Sequence, residues 1–139
     1  MPSLTFEIPG VPVAKGRARS TKSGHHYTPA KTRAYEECVA LYAMTAMKRA
    51  KPLTCPIDLD VWFELPIPKS WSKLNHNLAA ENVLQHVTRP DVDNLLKSIK
   101  DGCNGVLWHD DSQVWRVRAC KTYGRIPRTT VIVSWSDEP

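Results

Sequence analysis

The sequence predicts an α/β (α+β) fold: a small mixed β-sheet flanked by helices, built as one domain over residues 1–139. Three observations lead there. Residues 57 to 65 alternate strictly between apolar and polar, the period of a strand with one buried face. Residues 28 to 49 and the stretch after Asp93 carry apolar residues at helical spacing,. Two further alternating segments, 114 to 123 and 129 to 135, close the chain, so strands and helices are interleaved in one short sequence.

The bounds agree with this. A chain of 139 residues fits one ordinary core and not two. Hydrophobic content of 42% and charged content of 24% are those of a globular protein. No apolar run approaches the ~20 residues of a membrane span. The start, MPSLTFEIPG, has no basic region followed by an apolar one, so a cytoplasmic protein is expected. Cys38, Cys55, Cys103 and Cys120 form no C-x-x-C pair and have no histidine at zinc-ligand spacing. They read as free, partly buried thiols in a reducing compartment.

Leu4, Phe6 and Ile8 alternate with Thr5 and Glu7, which predicts a first strand ended by Pro9-Gly10. Residues 15–28 then read as a flexible basic loop, with Gly16, Ser20, Ser23 and Gly24 among its cations. From Lys15 to Arg33 there are six basic residues, namely Lys15, Arg17, Arg19, Lys22, Lys31 and Arg33, and no acid. Within a net charge of +5 and a pI near 9.1, such a run suits phosphate contacts. Thr28 is placed to cap a helix with Pro29 at its first position. This helix runs to about Arg49, with Tyr35, Cys38, Val39, Tyr42 and Ala46 as its apolar stripe and Lys48, Arg49 and Lys51 at its negative end,.

The strand Ile57 to Leu65 faces Ile57, Leu59, Val61, Phe63 and Leu65 inward. Asp58, Asp60, Trp62 and Glu64 form its polar outer face. Residues 66–89 are a connector with one short helix, from Ser70 to Asn82, turning Trp71, Leu74 and Leu78 inward. Beyond residue 113, Val114 to Tyr123 and Thr129 to Trp135 are expected to pair as a hairpin across Gly124 to Pro127. The last three residues are expected to fray.

The chemistry concentrates between Arg89 and Val114. Pro90 keeps Arg89 out of the helical region, so Asp91 and Asp93, two apart on an extended segment, face one side. Asp93 or Asn94 then caps a helix with Leu95, Leu96, Ile99 and Cys103 as its apolar face,. Lys97 lies one turn beyond Asp93 and Asp101 one turn further. Asp110 and Asp111 follow a turn bracketed by Gly102 and Gly105. Clustered carboxylates repel unless a cation neutralises them. An all-oxygen set selects a hard ion, Mg²⁺ or Mn²⁺, and a hard ion beside a basic surface suits phosphoryl chemistry. The competing structural reading makes the same acids a helix cap and a turn, with Lys97 paired to Asp93 and Asp101.

The run Arg89 to Lys97 (RPDVDNLLK) and the run Asp101 to Val114 (DGCNGVLWHDDSQV) resemble the RusA family of Holliday-junction resolvases, crossover junction endodeoxyribonucleases common in bacteriophages and prophages. Ile8 to Arg19 (IPGVPVAKGRAR) and Tyr27 to Thr32 (YTPAKT) are similar to segments of the same family. The resemblance implies catalytic carboxylates at Asp91, Asp93 and Asp111, with Asp110 as a neighbouring possible metal ligand, and an essential lysine at Lys97. It also implies a homodimer, dependent on Mg²⁺ with Mn²⁺ as a substitute, that nicks two opposed strands of a four-way DNA junction. Ala14 and Ala18 stand where family members often have proline, a departure that touches DNA contact and not the proposed ligands.

A homodimer suits a nearly twofold substrate. Lys15, Arg17, Arg19, Lys22, Lys31, Arg33 and Arg89 are the expected DNA-binding side chains. His109, next to the third carboxylate, reads as a surface residue or one that supports a ligand from behind, in preference to a base or a ligand. Two other functions remain open on the sequence: a branched-DNA-binding module that does not cut, and a nuclease for other branched DNA.

Overall fold

The computed structural model describes residues 1–16 and 19–136; Arg17, Ala18 and residues 137–139, where fraying is expected, lie outside them. The elements are strands β1 (Ser3–Pro9), β2 (Arg19–Ser20) and β3 (His26–Tyr27), helix α1 (Ala30–Ala46), strand β4 (Ile57–Pro66), helices α2 (Lys73–Ala80) and α3 (Val92–Cys103), and strands β5 (Val114–Gly124) and β6 (Arg128–Trp135). A single 3₁₀ turn, Asp111–Gln113, precedes β5. This is the mixed α+β architecture that the sequence predicts. No helix among the described residues is long and apolar enough to cross a membrane.

The main sheet has the order β1-β6-β4-β5. β4 pairs antiparallel with β6 and parallel with β5, and β6 pairs antiparallel with β1. The expected hairpin of the last two strands therefore does not form; β5 and β6 take opposite edges of β4. The inner face of β4 is wholly buried through Ile57, Leu59, Val61, Phe63 and Leu65. A strand so buried needs both backbone edges satisfied, which a central position provides. The segment from Arg125 to Pro127 passes over the end of β4. It spans two strand spacings of about 4.8 Å each, more than a tight two-residue turn covers.

Other expectations shift in detail. The basic segment 15–28 is not an irregular loop throughout: β2 and β3 pair as a two-residue ribbon, closed by hydrogen bonds from the Thr21 amide to the His25 carbonyl and from the Gly24 amide to the Thr21 carbonyl. Gly24 takes φ +85° there, a conformation open to glycine at no steric cost. Pro29, not Thr28, occupies the N-cap of α1, without a side-chain cap. The helix ends at Ala46, and Lys48 and Arg49 adopt left-handed φ of 53° and 59°. The Arg49 amide reaches back to the Met44 carbonyl and closes the helix end. Tyr42 points outward, whereas Thr32, Val39 and Ala43 are buried.

α2 starts at Lys73 with Ser72 as the cap, its hydroxyl accepting from the Asn75 amide at 3.2 Å. Leu74 is exposed and Ala79 is the buried residue of that helix. Glu64 is not part of a solvated outer face: it is 8% exposed and paired to Arg128. The rest of that face, with Asp58, Asp60 and Trp62, stays at least partly open.

Helices α1 and α3 cover one face of the sheet and pack on each other. Val39 and Ala43 of α1 meet Leu95, Ile99 and Cys103 of α3 over Phe6, Ile8, Val61, Val131 and Val133. The closest approach is at Gly102, where a Cβ would stand 2.7 Å from the Val39 Cβ and 3.0 Å from the Glu36 carbonyl oxygen. Alanine at an unhindered helical site gains about 1 kcal/mol over glycine. Here overpacking against backbone outweighs that gain, at about 1–3 kcal/mol. Gly102→Ala is therefore expected to lower stability in urea unfolding; a variant as stable as the parent would mean that α1 and α3 are not held at this distance.

Candidate active site

Helix α3 begins two or three residues earlier than a cap at Asp93 or Asn94 suggests, and this rearranges the first two acids. Asp91 is the N-cap residue, extended at φ −69° and ψ 142°, with no side-chain cap bond. The Leu95 amide donates to the Asp91 carbonyl at 3.1 Å, so the helix starts at Val92 and Asp93 lies in its first turn. Asp91 and Asp93 are thus not neighbours along one face of an extended segment. Pro90, in the cis peptide Arg89–Pro90, stays outside the helix. Acids at this end are favoured by the helix dipole, and neither carboxylate has a hydrogen-bond or ion-pair partner among the described residues.

The turn-by-turn spacing places the remaining groups as expected. Asp93, Lys97 and Asp101 line one cleft together with Asp111 from the turn beyond the helix. Asp91 opens onto a second hollow, with Ala14, Arg89, Pro90 and Asn94. Lys97 is exposed and makes no ion pair or hydrogen bond among the described residues, so the alternative that pairs it with Asp93 and Asp101 does not hold. Among the described residues, no three carboxylate, imidazole or thiol groups stand close enough to hold a metal ion by themselves.

Asp110 and Asp111 are adjacent and differently committed. Asp110 caps the 3₁₀ turn: its Oδ2 accepts from the Ser112 amide at 2.9 Å, and its own amide donates to Gln113 Oε1 at 2.9 Å. Those bonds from Ser112 hold the Asp110 carboxyl below its ordinary pKa. Gln113 is anchored in turn, its Nε2 donating to the carbonyls of Leu53 at 2.8 Å and Cys55 at 3.1 Å. Asp111 instead accepts at Oδ1 from the indole of the fully buried Trp108 at 2.8 Å, which fixes the carboxylate at the cleft. Below it, burial and then the Asp111 charge push the Cys103 thiol up in pKa, so it stays neutral and is no nucleophile.

Two lysines brace the surrounding chain. Lys15 was expected to contact DNA, but its ammonium is committed: it pairs with Glu36 of α1 and with Asp101 Oδ2 at 3.0 Å. Its amide also donates to the Asn94 carbonyl at 2.9 Å. Partial burial works against this charge, but the bonds to Glu36 and Asp101 outweigh it and raise the Lys15 pKa. Asp101 is thereby occupied by Lys15. Lys121, from the inward side of β5, donates to the carbonyls of Thr88 and of Pro90, the latter at 3.0 Å. It clamps the residues on both sides of Arg89 directly ahead of Asp91.

Lys22, Lys31, Arg33 and Arg89 are exposed, and Arg19 lies in the β2–β3 ribbon; Arg17 falls outside the described residues. His109 is exposed, with only its amide engaged, to the Leu53 carbonyl at 3.3 Å. The groups that the sequence reading passed over are Glu36, Trp108 as a carboxylate holder, Gln113 and Lys121. Lys121 had a visible signal: it sits between Ala119 and Tyr123 in a period-2 strand, at an inward position where a lone cation needs a partner.

Two outcomes follow from these braces. If Asp91 holds a metal as the sequence motif implies, Lys121→Met, which frees the Thr88 and Pro90 carbonyls, is expected to cut DNA cleavage about 10–100-fold, the usual effect of losing a supporting contact behind a ligand, while DNA affinity is kept. Wild-type cleavage by this variant would remove Lys121 from the site. For Lys15, a pKa raised on folding means that its stabilisation is complete below the ordinary value of 10.5 and fades as pH rises through the folded value. Lys15→Met is expected to be less stable than the parent at neutral pH by about 1–2 kcal/mol, the gap narrowing in strongly alkaline solution. Denaturation curves that differ equally at both pH values would overturn this.

Comparison with known proteins agrees with the motif. The model of the endodeoxyribonuclease RusA family matches residues 9–134, a span that contains Asp91, Asp93, Lys97, Asp101, Asp110 and Asp111. A Bacillus subtilis (strain 168) protein, the uncharacterized protein YqaN, is 37% identical over 138 residues, covering 96% of each chain. With the match running from the end of β1 into β6, the chain belongs to the RusA endodeoxyribonuclease family.

Proposed function

We propose that this endodeoxyribonuclease resolves four-way DNA junctions by paired nicks, using Mg²⁺ and acting as a homodimer in recombination and repair. The observation that carries the reading is the cleft in which Asp93 and Asp111 meet the unpaired Lys97, with Asp91 at the head of the same helix. The donor set is all carboxylate, which suits a hard ion. Mg²⁺ commonly binds through one or two carboxylates and completes its shell with water and substrate phosphate, so a site without three converging protein ligands fits it. Asp93 and Asp111 would hold the ion, with Asp91 beside them; Asp110 is tied up in its cap. The ion supplies Lewis-acid activation of water and neutralises charge on the phosphate oxygens.

The chain's own groups do the rest. Lys97, without a carboxylate to satisfy it, presents its charge to the scissile phosphate as negative charge develops. Trp108 keeps the Asp111 carboxylate aimed into the cleft, and Lys121 keeps the Asp91 segment in place. Lys22, Lys31, Arg33 and Arg89, with Arg17 and Arg19, would carry the phosphate contacts; Lys15 acts through Glu36 and Asp101 instead. Each phosphate contact contributes about −0.9 to the slope of log K against log salt on duplex DNA, so removing Lys31 and Arg33 together should flatten that slope. A twofold dimer presents two equal sites to two opposed strands.

The test uses a labelled synthetic junction and a linear duplex, each with Mg²⁺, with Mn²⁺ and with chelator. Paired nicks on the junction in either metal, and none with chelator, are expected. Equal cutting of the linear duplex would make the chain a generic nuclease, and junction binding without cutting would make it a binding module. Asp93→Asn should abolish cleavage and keep junction binding. Light scattering should return twice the 15.7 kDa chain mass; a monomeric mass for an active enzyme would sink the dimer.

A further inference from the structure

A further cavity lies outside the carboxylate cleft, beside the hollow that holds Asp91. It measures about 750 Å³, within the ~300–1,000 Å³ of small-ligand sites. Its wall is largely apolar, with Val13, Pro68 and the buried ring of Tyr123, and it carries two cations, Lys31 and Arg89. Ala14, Arg89 and Pro90 line both this cavity and the hollow that holds Asp91, so the two spaces are continuous along the chain that leads into α3.

One polar side chain in the wall is unexplained by the fold. His86 is only 9% exposed, and its Nδ1 is buried without a hydrogen-bond partner among the described residues. Its ring packs on Tyr123 with centroids 4.7 Å apart, and Tyr123 stands edge-on to Trp71 at 5.1 Å. Burial, and then the nearby Lys121 charge, lower its pKa, which keeps the imidazole neutral with one donor and one acceptor. Neither α2 nor the carboxylate cleft uses this group.

We propose that the cavity takes a single unstacked nucleobase of the bound DNA, next to the scissile phosphate, and that His86 reads the edge of that base. The claim rests on the nuclease reading above and adds to it a specificity-determining residue. An aromatic ring, an apolar wall and a neutral hydrogen-bonding imidazole are the components that hold an extruded base. Lys31 and Arg89 suit the phosphates on either side of it. A branch point is where extrusion costs least, because stacking is already interrupted there. His86 lines the cavity, so its neutral imidazole is the group in the wall that meets the base edge.

The experiment measures where junctions are cut and how tightly they are held. In the first arm, wild-type protein binds junctions carrying one abasic residue at each position around the branch, with chelator present. One position beside the cut should weaken binding about tenfold, the scale of losing a base-stacking contact; equal affinity at every position overturns the proposal. In the second arm, junctions with randomised branch-point bases are cut in Mg²⁺ by wild type and by His86→Phe, which keeps a ring against Tyr123 but has no ring nitrogen. Wild type should prefer one base at that position, and His86→Phe should lose most of the preference while still cutting. An unchanged preference in a folded His86→Phe overturns the role of His86. A protein that neither binds nor cuts any junction would instead overturn the nuclease reading, and this one with it.

Discussion

Helix α3 lies against α1 at a distance that only glycine permits. At Gly102 the backbone of one helix meets the Val39 side chain and the Glu36 carbonyl of the other, and the inner faces of both rest on β1, β4 and β6. The carboxylate cleft lies on the outer side of that packing. Burying Leu95, Ile99 and Cys103 turns the 93–97–101 line outward, because residues one turn apart share a face. The same crossing brings Glu36 within reach of Lys15, and so ties the segment after β1 to both helices.

Around this rigid pair, the irregular segments are held by single polar contacts. Trp108 fixes Asp111, Gln113 fixes the turn that presents it, and Lys121 fixes the approach to Asp91. A carboxylate site on loops alone would be loose, and rigid elements with buried supports hold a ligand more closely. The division between Asp110 and Asp111 illustrates this. Two identical neighbours acquire different work because one is consumed in capping and the other receives an indole N–H.

Much of the fold was legible in the residues. The alternation of 57 to 65, the first strand and the helical run after Asp93 are local patterns, written in residue order and read at short range. The pairing of strands was not legible in the same way. β5 and β6 are neighbours in sequence with good alternation, which a hairpin would satisfy equally well. What separates them is β4, whose wholly buried inner face makes the centre of the sheet its place. α3 starts two or three residues ahead of the Asp93 or Asn94 cap that side-chain preference suggests, because Asp91 serves through its backbone carbonyl.

By itself the sequence determined the helix and strand periods, the spacing of Asp93, Lys97 and Asp101, and the family that the Arg89 to Val114 stretch belongs to. These depend on neighbours within a turn or two and on residue identity. Only the tertiary structure decided that Lys15 is consumed by Glu36 and Asp101, that Lys121 clamps the Asp91 segment, and that His86 is buried beside a cavity. Each of those joins residues from 21 to 86 positions apart. Such contacts are set by how the helices and sheet pack, and a charge or ring shows its partner only once that packing exists.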